Sequence, residues 1–149
     1  MINSQYYADS TNVPDEFESH EKWIDEQLQV FRDSNSSQAV IFQHIPWFLK
    51  SFDEDDEYFN MKKEIRARML KKFRNAGIKH IFSGHYHRNA GGMWNDLEMI
   101  VTSAIGCQIG SDKSGMRIVR VFEKTLDHKY YGLEEFPLEI SLDPDKPLP

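Results

Sequence analysis

Two short strand-like runs, the first continuously apolar, separated by one amphipathic segment of helix length constrain this chain more than any other feature. The first, residues 39–42, reads Ala39, Val40, Ile41, Phe42 and is followed, after Gln43, by His44, Ile45 and Pro46. A run without polar alternation suits a strand buried on both faces. Proline pushes the preceding residue away from helical geometry and cannot donate to a central ladder, so the strand stops there and presents His44 at its carboxyl end. The second run, residues 78–82, leads into Ser83, Gly84 and His85. Between them, residues 61–75 place Ile65, Met69, Leu70 and Phe73 on one helical face, with Asn60 as the cap and Gly77 as the stop. Strand, helix and strand make a βαβ unit, whose crossover sets both strands parallel in one sheet. Their carboxyl ends then share the edge where open α/β sheets keep their binding crevices.

Upstream, Ile24, Leu28 and Phe31 recur at helical spacing over residues 19–33, while Glu21, Lys22, Asp25 and Glu26 fill the other face. Residues 1–14 read as the tail of a strand followed by a loop ending at Pro14. Because a domain normally begins with a whole element, further sequence is expected upstream. After Gly84, glycines punctuate short runs at 97–102, 116–122 and 128–133, the texture of meandering β-strands. Residues 1–136 are thus expected to form part of one α/β domain. Residues 137–149, which include Pro137, Pro144, Pro147 and Pro149, are expected to form a loose tail.

Composition narrows the function classes. A chain of 149 residues, 40% apolar and 13% aromatic, suits a single globular unit. A net charge of −6 argues against a broad nucleic-acid or anionic-membrane binder. The acidic first twenty residues hold no signal peptide, and the longest apolar run, residues 45–49, falls far short of the roughly 20 residues that span a bilayer. The lone cysteine, Cys107, lies in a glycine-bounded turn and can form neither a disulfide within the chain nor a cysteine zinc cluster. A soluble, cytoplasmic protein is the expectation.

The string Gly84, His85, Tyr86, His87 is a G-H-x-H placed directly after the second strand, and His44 occupies the equivalent place after the first. Three of the six histidines should therefore converge on one sheet edge. Residues two apart in extended chain point the same way, so His85 and His87 can serve neighbouring ions. Catalytic two-metal centres hold their ions about 3.5–4 Å apart, and neutral imidazole ligates zinc, iron or manganese without strong preference. Gly84 would let backbone approach the ions, and the planar fork of Arg88 suits a phosphate oxygen. His20, His80 and His128 lie elsewhere in the pattern and read as structural.

At these residues the chain resembles the calcineurin-like metallophosphoesterases: His44 with Pro46 after one strand, and Gly84, His85, Tyr86, His87 after the next, are similar to that family's last two motifs. The resemblance implies the C-terminal half of a four-layer α/β/β/α sandwich. It further implies two divalent metal ions at the intact site and a metal-activated hydroxide that hydrolyses phosphomonoesters, such as phosphoserine and phosphothreonine in proteins. His44 and His85 match ligands of one ion, His87 a ligand of the other, and Arg88 is the substrate-binding candidate. The family's earlier motifs, D-x-H, G-D-x-x-D and G-N-H, are absent from the sequence. The bridging aspartate and the leaving-group histidine are therefore expected in a complementing N-terminal half, and the isolated chain is expected to be inactive.

Two other readings compete. One is a non-catalytic binding or regulatory fragment. The other is an anion-binding adaptor built on the basic stretch Lys62, Lys63, Arg66, Arg68, Lys71, Lys72, Arg74, which contains a single acid, Glu64. The acidic run at 53–57 lacks calcium-loop spacing and reads as a surface loop near the positive end of that helix.

Overall fold

The predicted βαβ unit forms the centre of the molecule. The computed structural model describes residues 1–149, with helices α1 (Gln5–Ala8), α2 (Pro14–Asp33) and α3 (Lys63–Asn75). The strands are β1 (Val40–Phe42), β2 (His80–Ser83), β3 (Ala90–Trp94), β4 (Leu97–Val101), β5 (Gly115–Val121) and β6 (Leu126–Gly132). A four-stranded sheet runs in the order β1-β2-β4-β3, and β5-β6 form a separate two-stranded sheet. β1 and β4 both lie parallel to β2, whereas β3 pairs antiparallel with β4. This is an α/β fold with a mixed sheet. None of its helices is long and apolar enough to cross a membrane.

The register sorts side chains between two faces. Ile41, Ile81 and Met99 are cross-strand partners, and they join Ile24 and Leu28 of α2 with Met69, Leu70 and Phe73 of α3 in one buried cluster. The next row, Phe42, Phe82 and Ile100, faces the other way. Here the β5-β6 hairpin approaches: the His128 ring meets Phe82 at 5.6 Å, and His128 Nε2 lies 3.2 Å from Glu98 Oε1. That cover stops short of β1. Phe42 is 49% exposed, so β1 is not buried on both faces as its run of apolar residues suggests.

Element boundaries depart from expectation where distant partners intervene. Residues 1–14 hold α1, not only a loop, although Ile2 N does donate to Phe42 O along the edge of β1. α2 starts at Pro14, where the missing N–H costs nothing in the first turn and Asp15 and Glu16 favour the dipole. α3 starts at Lys63, and Asn60 does not cap it; Asp56 Oδ1 accepts from Lys63 N at 2.6 Å. Asn60 instead binds Glu54 Oε1 and Glu57 N inside the acidic loop. Glu54 accepts the backbone N–H groups of Leu49, Lys50 and Ser51. The buried Arg66 guanidinium donates to the carbonyls of Phe52, Glu54 and Met61. The 53–57 run is therefore a pinned loop.

The cations of α3 are largely committed to packing. Arg68 and Lys72 pair with Glu21 and Asp25 of α2, and Arg74 pairs with Asp96. This removes most of the charge on which an anion-binding face would depend. The last residues, 137–149, form no helix or strand, and Arg120 holds the carbonyls of Ser141, Asp143 and Lys146.

Glu21 joins three elements, accepting from the buried Tyr7 hydroxyl and from Arg68. Burial pushes its carboxyl pKa up, but these hydrogen bonds and the charges of Arg68 and Lys72 outweigh it and hold the pKa below the ordinary glutamate value. The linked stability is therefore present at neutral pH and is lost as pH falls through the depressed folded value. Glu21→Gln should destabilise the fold by about 1–3 kcal/mol at pH 7. Urea melts of both proteins should show the gap closing progressively below about pH 4.5.

Candidate metal centre

The strand-end histidines are set by the sheet itself. Gln43 N donates to Phe82 O at 3.0 Å and Gly84 N to His44 O at 3.1 Å, extending the parallel ladder past both strand ends. The fully buried Ser4 fixes the first loop, its Oγ accepting from His44 N at 3.1 Å and Ile45 N at 2.8 Å. His44 Nε2 and His85 Nδ1 consequently face each other at 3.1 Å, with ring centroids 4.9 Å apart.

That separation fits a shared ion. Metal–nitrogen bonds of about 2.0–2.1 Å at a near-tetrahedral angle require ligand nitrogens roughly 3.1–3.4 Å apart. The proton state of His85 fits as well, with the hydrogen of the 3.1 Å contact then on His44 Nε2, from which a bound ion would shift it to Nδ1. His85 Nε2 lies 3.4 Å from Tyr58 O, and a carbonyl only accepts, so Nε2 carries the hydrogen and Nδ1 the lone pair. Burial foremost, then the charges of His85 and His87, hold His44 below the usual imidazole pKa, which favours the neutral, ligating form. Two imidazoles remain an incomplete donor set, for no group of three histidine, cysteine, aspartate or glutamate side chains converges anywhere in the structure.

His87 is placed differently from expectation. His85 and His87 both adopt left-handed backbone, with φ of 66° and 54°, so the G-H-x-H is a tight turn and not an extended segment. The His87 ring turns to the 103–110 segment, its Nδ1 lying 2.7 Å from Cys107 O. Arg88 lies 4.7 Å over the Tyr86 ring, and a Cβ at Gly110 would stand 3.2 Å from its Nε. A Cβ at Gly84 would meet nothing within 4 Å, so no close approach inside this chain requires that glycine. His20 accepts from Asn3 N and stacks on Trp23, and His128 packs between the sheets, both as structural groups.

Beside the pair, a cavity of about 550 Å³ opens between the two sheets, lined by Phe42, Gln43, His44, Ser83, Ser103 and Arg117 among others. Gln43 Oε1 and Ser83 Oγ are buried without hydrogen-bond partners, Ser83 in the row that pairs with Val101 of the helix-covered core. Sequence reasoning missed Ser4, Ser83 and the Tyr58 and Cys107 carbonyls. A serine without a motif carries little signal, and a backbone carbonyl carries none.

Two imidazoles thus face each other where the parallel strands β1 and β2 end, and the chain is a homologue of proteins with a calcineurin-like phosphoesterase domain. It is similar to the serine/threonine-protein phosphatase CPPED1 of Rattus norvegicus, at 47% identity over 135 residues, covering 91% of this chain and 43% of that protein. The CPPED1 proteins of Danio rerio (44% over 145 residues, 97% of this chain, 47% of the relative) and Homo sapiens (48% over 136 residues, 91% and 43%) are similar in the same way. The chain spans less than half the length of these curated relatives. No family model matches it.

Cobalt titration followed by visible absorption tests the pair. The chain should bind Co²⁺ weakly, and His44→Ala or His85→Ala should each reduce affinity by at least roughly tenfold, with His20→Ala leaving it unchanged.

Proposed function

We propose that this chain supplies part of the centre of a binuclear metal-dependent phosphoesterase acting on phosphomonoesters, with phosphoserine and phosphothreonine of proteins as the substrate class. The observation that carries the reading is the 3.1 Å approach of His44 Nε2 to His85 Nδ1 across two adjacent parallel strand ends. The relatives' names, serine/threonine-protein phosphatases, support the substrate class.

His44 and His85 would hold one divalent ion and His87 another, with manganese, iron and zinc all suited to imidazole. A divalent metal, when bound, supplies Lewis-acid polarisation of phosphoryl oxygen and activation of water near neutral pH. The chain's own groups orient: the Tyr58 carbonyl fixes the His85 ring, and Arg88, braced on Tyr86, supplies a planar fork for a phosphate oxygen. Carboxylate ligands and a leaving-group acid belong to a complementing polypeptide, with which these two sheets build a four-layer α/β/β/α sandwich in the cytoplasm. Two neutral imidazoles cannot neutralise the charge of a bound divalent ion, so the isolated chain is not expected to turn over substrate.

The test mixes the chain with the polypeptide corresponding to the uncovered part of a CPPED1 relative, in Mn²⁺, with p-nitrophenyl phosphate and a phosphoserine peptide. Each component alone should be silent and the mixture active, with activity lost on His85→Ala or His87→Ala. A mixture that associates but stays inactive, or activity indifferent to both substitutions, overturns the reading.

A further inference from the structure

The segment 103–110 grips His87 at both its backbone and its ring. Ile109 N donates to His87 O at 2.8 Å, Ser103 Oγ donates to the same carbonyl at 3.1 Å, and His87 Nδ1 lies 2.7 Å from Cys107 O. Both ends of the ring contact are conformationally costly. His87 has φ of 54° and Cys107 φ of 56°, a region that side-chain-bearing residues seldom adopt and that persists only where the surroundings enforce it. Further anchors hold the segment: Gly115 N donates to Ala104 O, and Ser114 Oγ donates to Gln108 Oε1 at 2.9 Å.

A carbonyl oxygen accepts and never donates, so the 2.7 Å contact requires the hydrogen of neutral His87 on Nδ1. The opposite arrangement would set a lone pair against the carbonyl oxygen. We propose that Cys107, through its backbone carbonyl, is a positioning residue that locks His87 in the Nδ1–H form and leaves Nε2 as its ligating nitrogen. This rests on the reading of His87 as a metal ligand, but the proton state belongs to the metal-free chain and is measured there. An outer-shell carbonyl of this kind fixes ring orientation and raises ligand basicity. His85 has the complementary form, with the hydrogen on Nε2 facing Tyr58 O. The two histidines of one short motif thus present different nitrogens.

Long-range ¹H–¹⁵N correlation spectra of the ¹⁵N-histidine-labelled chain, taken at mildly alkaline pH without metal, read the tautomers directly. His87 should show a protonated, pyrrole-type Nδ1 and a pyridine-type Nε2. Cys107→Gly keeps the carbonyl and tolerates the left-handed backbone, and should preserve that pattern. Cys107→Val, β-branched at positive φ, should displace the carbonyl and shift the His87 Nδ1 resonance toward the unprotonated position, while the His44 and His85 signals stay in place and report an intact fold. A wild-type His87 with its hydrogen on Nε2, or a Cys107→Val spectrum identical to wild type, overturns the proposal. Loss of Co²⁺ affinity on His87→Ala bears separately on the metal reading.

Discussion

The parallel pairing of β1 with β2 is the constraint on which the rest depends. β1 contributes only three ladder residues, yet their register, Val40 to His80 through Phe42 to Phe82, decides both faces of the sheet at once. It sends Ile41 and Ile81 into the helix-covered core and sets the residues after each strand side by side. A slip of one residue would turn Ile41 out of the core and separate His44 from His85. Burial of apolar surface beneath α2 and α3 therefore sets the geometry of the imidazole pair.

Much of this frame was legible because it follows from periodicity. Helical spacing exposes α2 and α3, short apolar runs expose β1 and β2, and proline and glycine mark where the strands yield to His44 and His85. β3 was not legible. Its Ala90, Gly91, Gly92 opening reads as a turn, yet a Cβ on Gly91 would overlap the Met99 carbonyl oxygen, and one on Gly92 would lie 2.5 Å from Lys50 O. Gly91 answers to the partner strand of its own hairpin, and Gly92 to Lys50 far back along the chain, which no local window contains. Asn60 shows the same effect on a cap. Its position before the helix is the usual signal, but Glu54 and Glu57 engage its side chain first.

The site divides along a similar line. Histidine identities and their strand-end placement are written in the sequence, whereas the left-handed turn through His85 and His87 is not, because extended and turned readings of G-H-x-H are equally consistent with the residue types. Charge is also easily misread from sequence. The cations of α3 suggest an outward anion-binding face, but Glu21, Asp25 and Asp96 draw three of them into links with α2 and the start of β4. Their contribution is to hold layers together.

Two shortfalls of different physical kind lie on one side of the molecule. The imidazole pair lacks the carboxylates that would balance a divalent ion. The crevice beside it leaves Phe42 half-exposed, and Gln43 and Ser83 of its wall carry buried oxygens, Oε1 and Oγ, without hydrogen-bond partners. Buried unpaired polar groups cost about 1–3 kcal/mol each, and an exposed aromatic forgoes the gain of burial. Carboxylates beside His44 and His85 and an apolar cover over Phe42 are what the complementing polypeptide proposed above would have to bring to this edge. The stretch of the CPPED1 relatives that this chain does not span is long enough to supply such a cover.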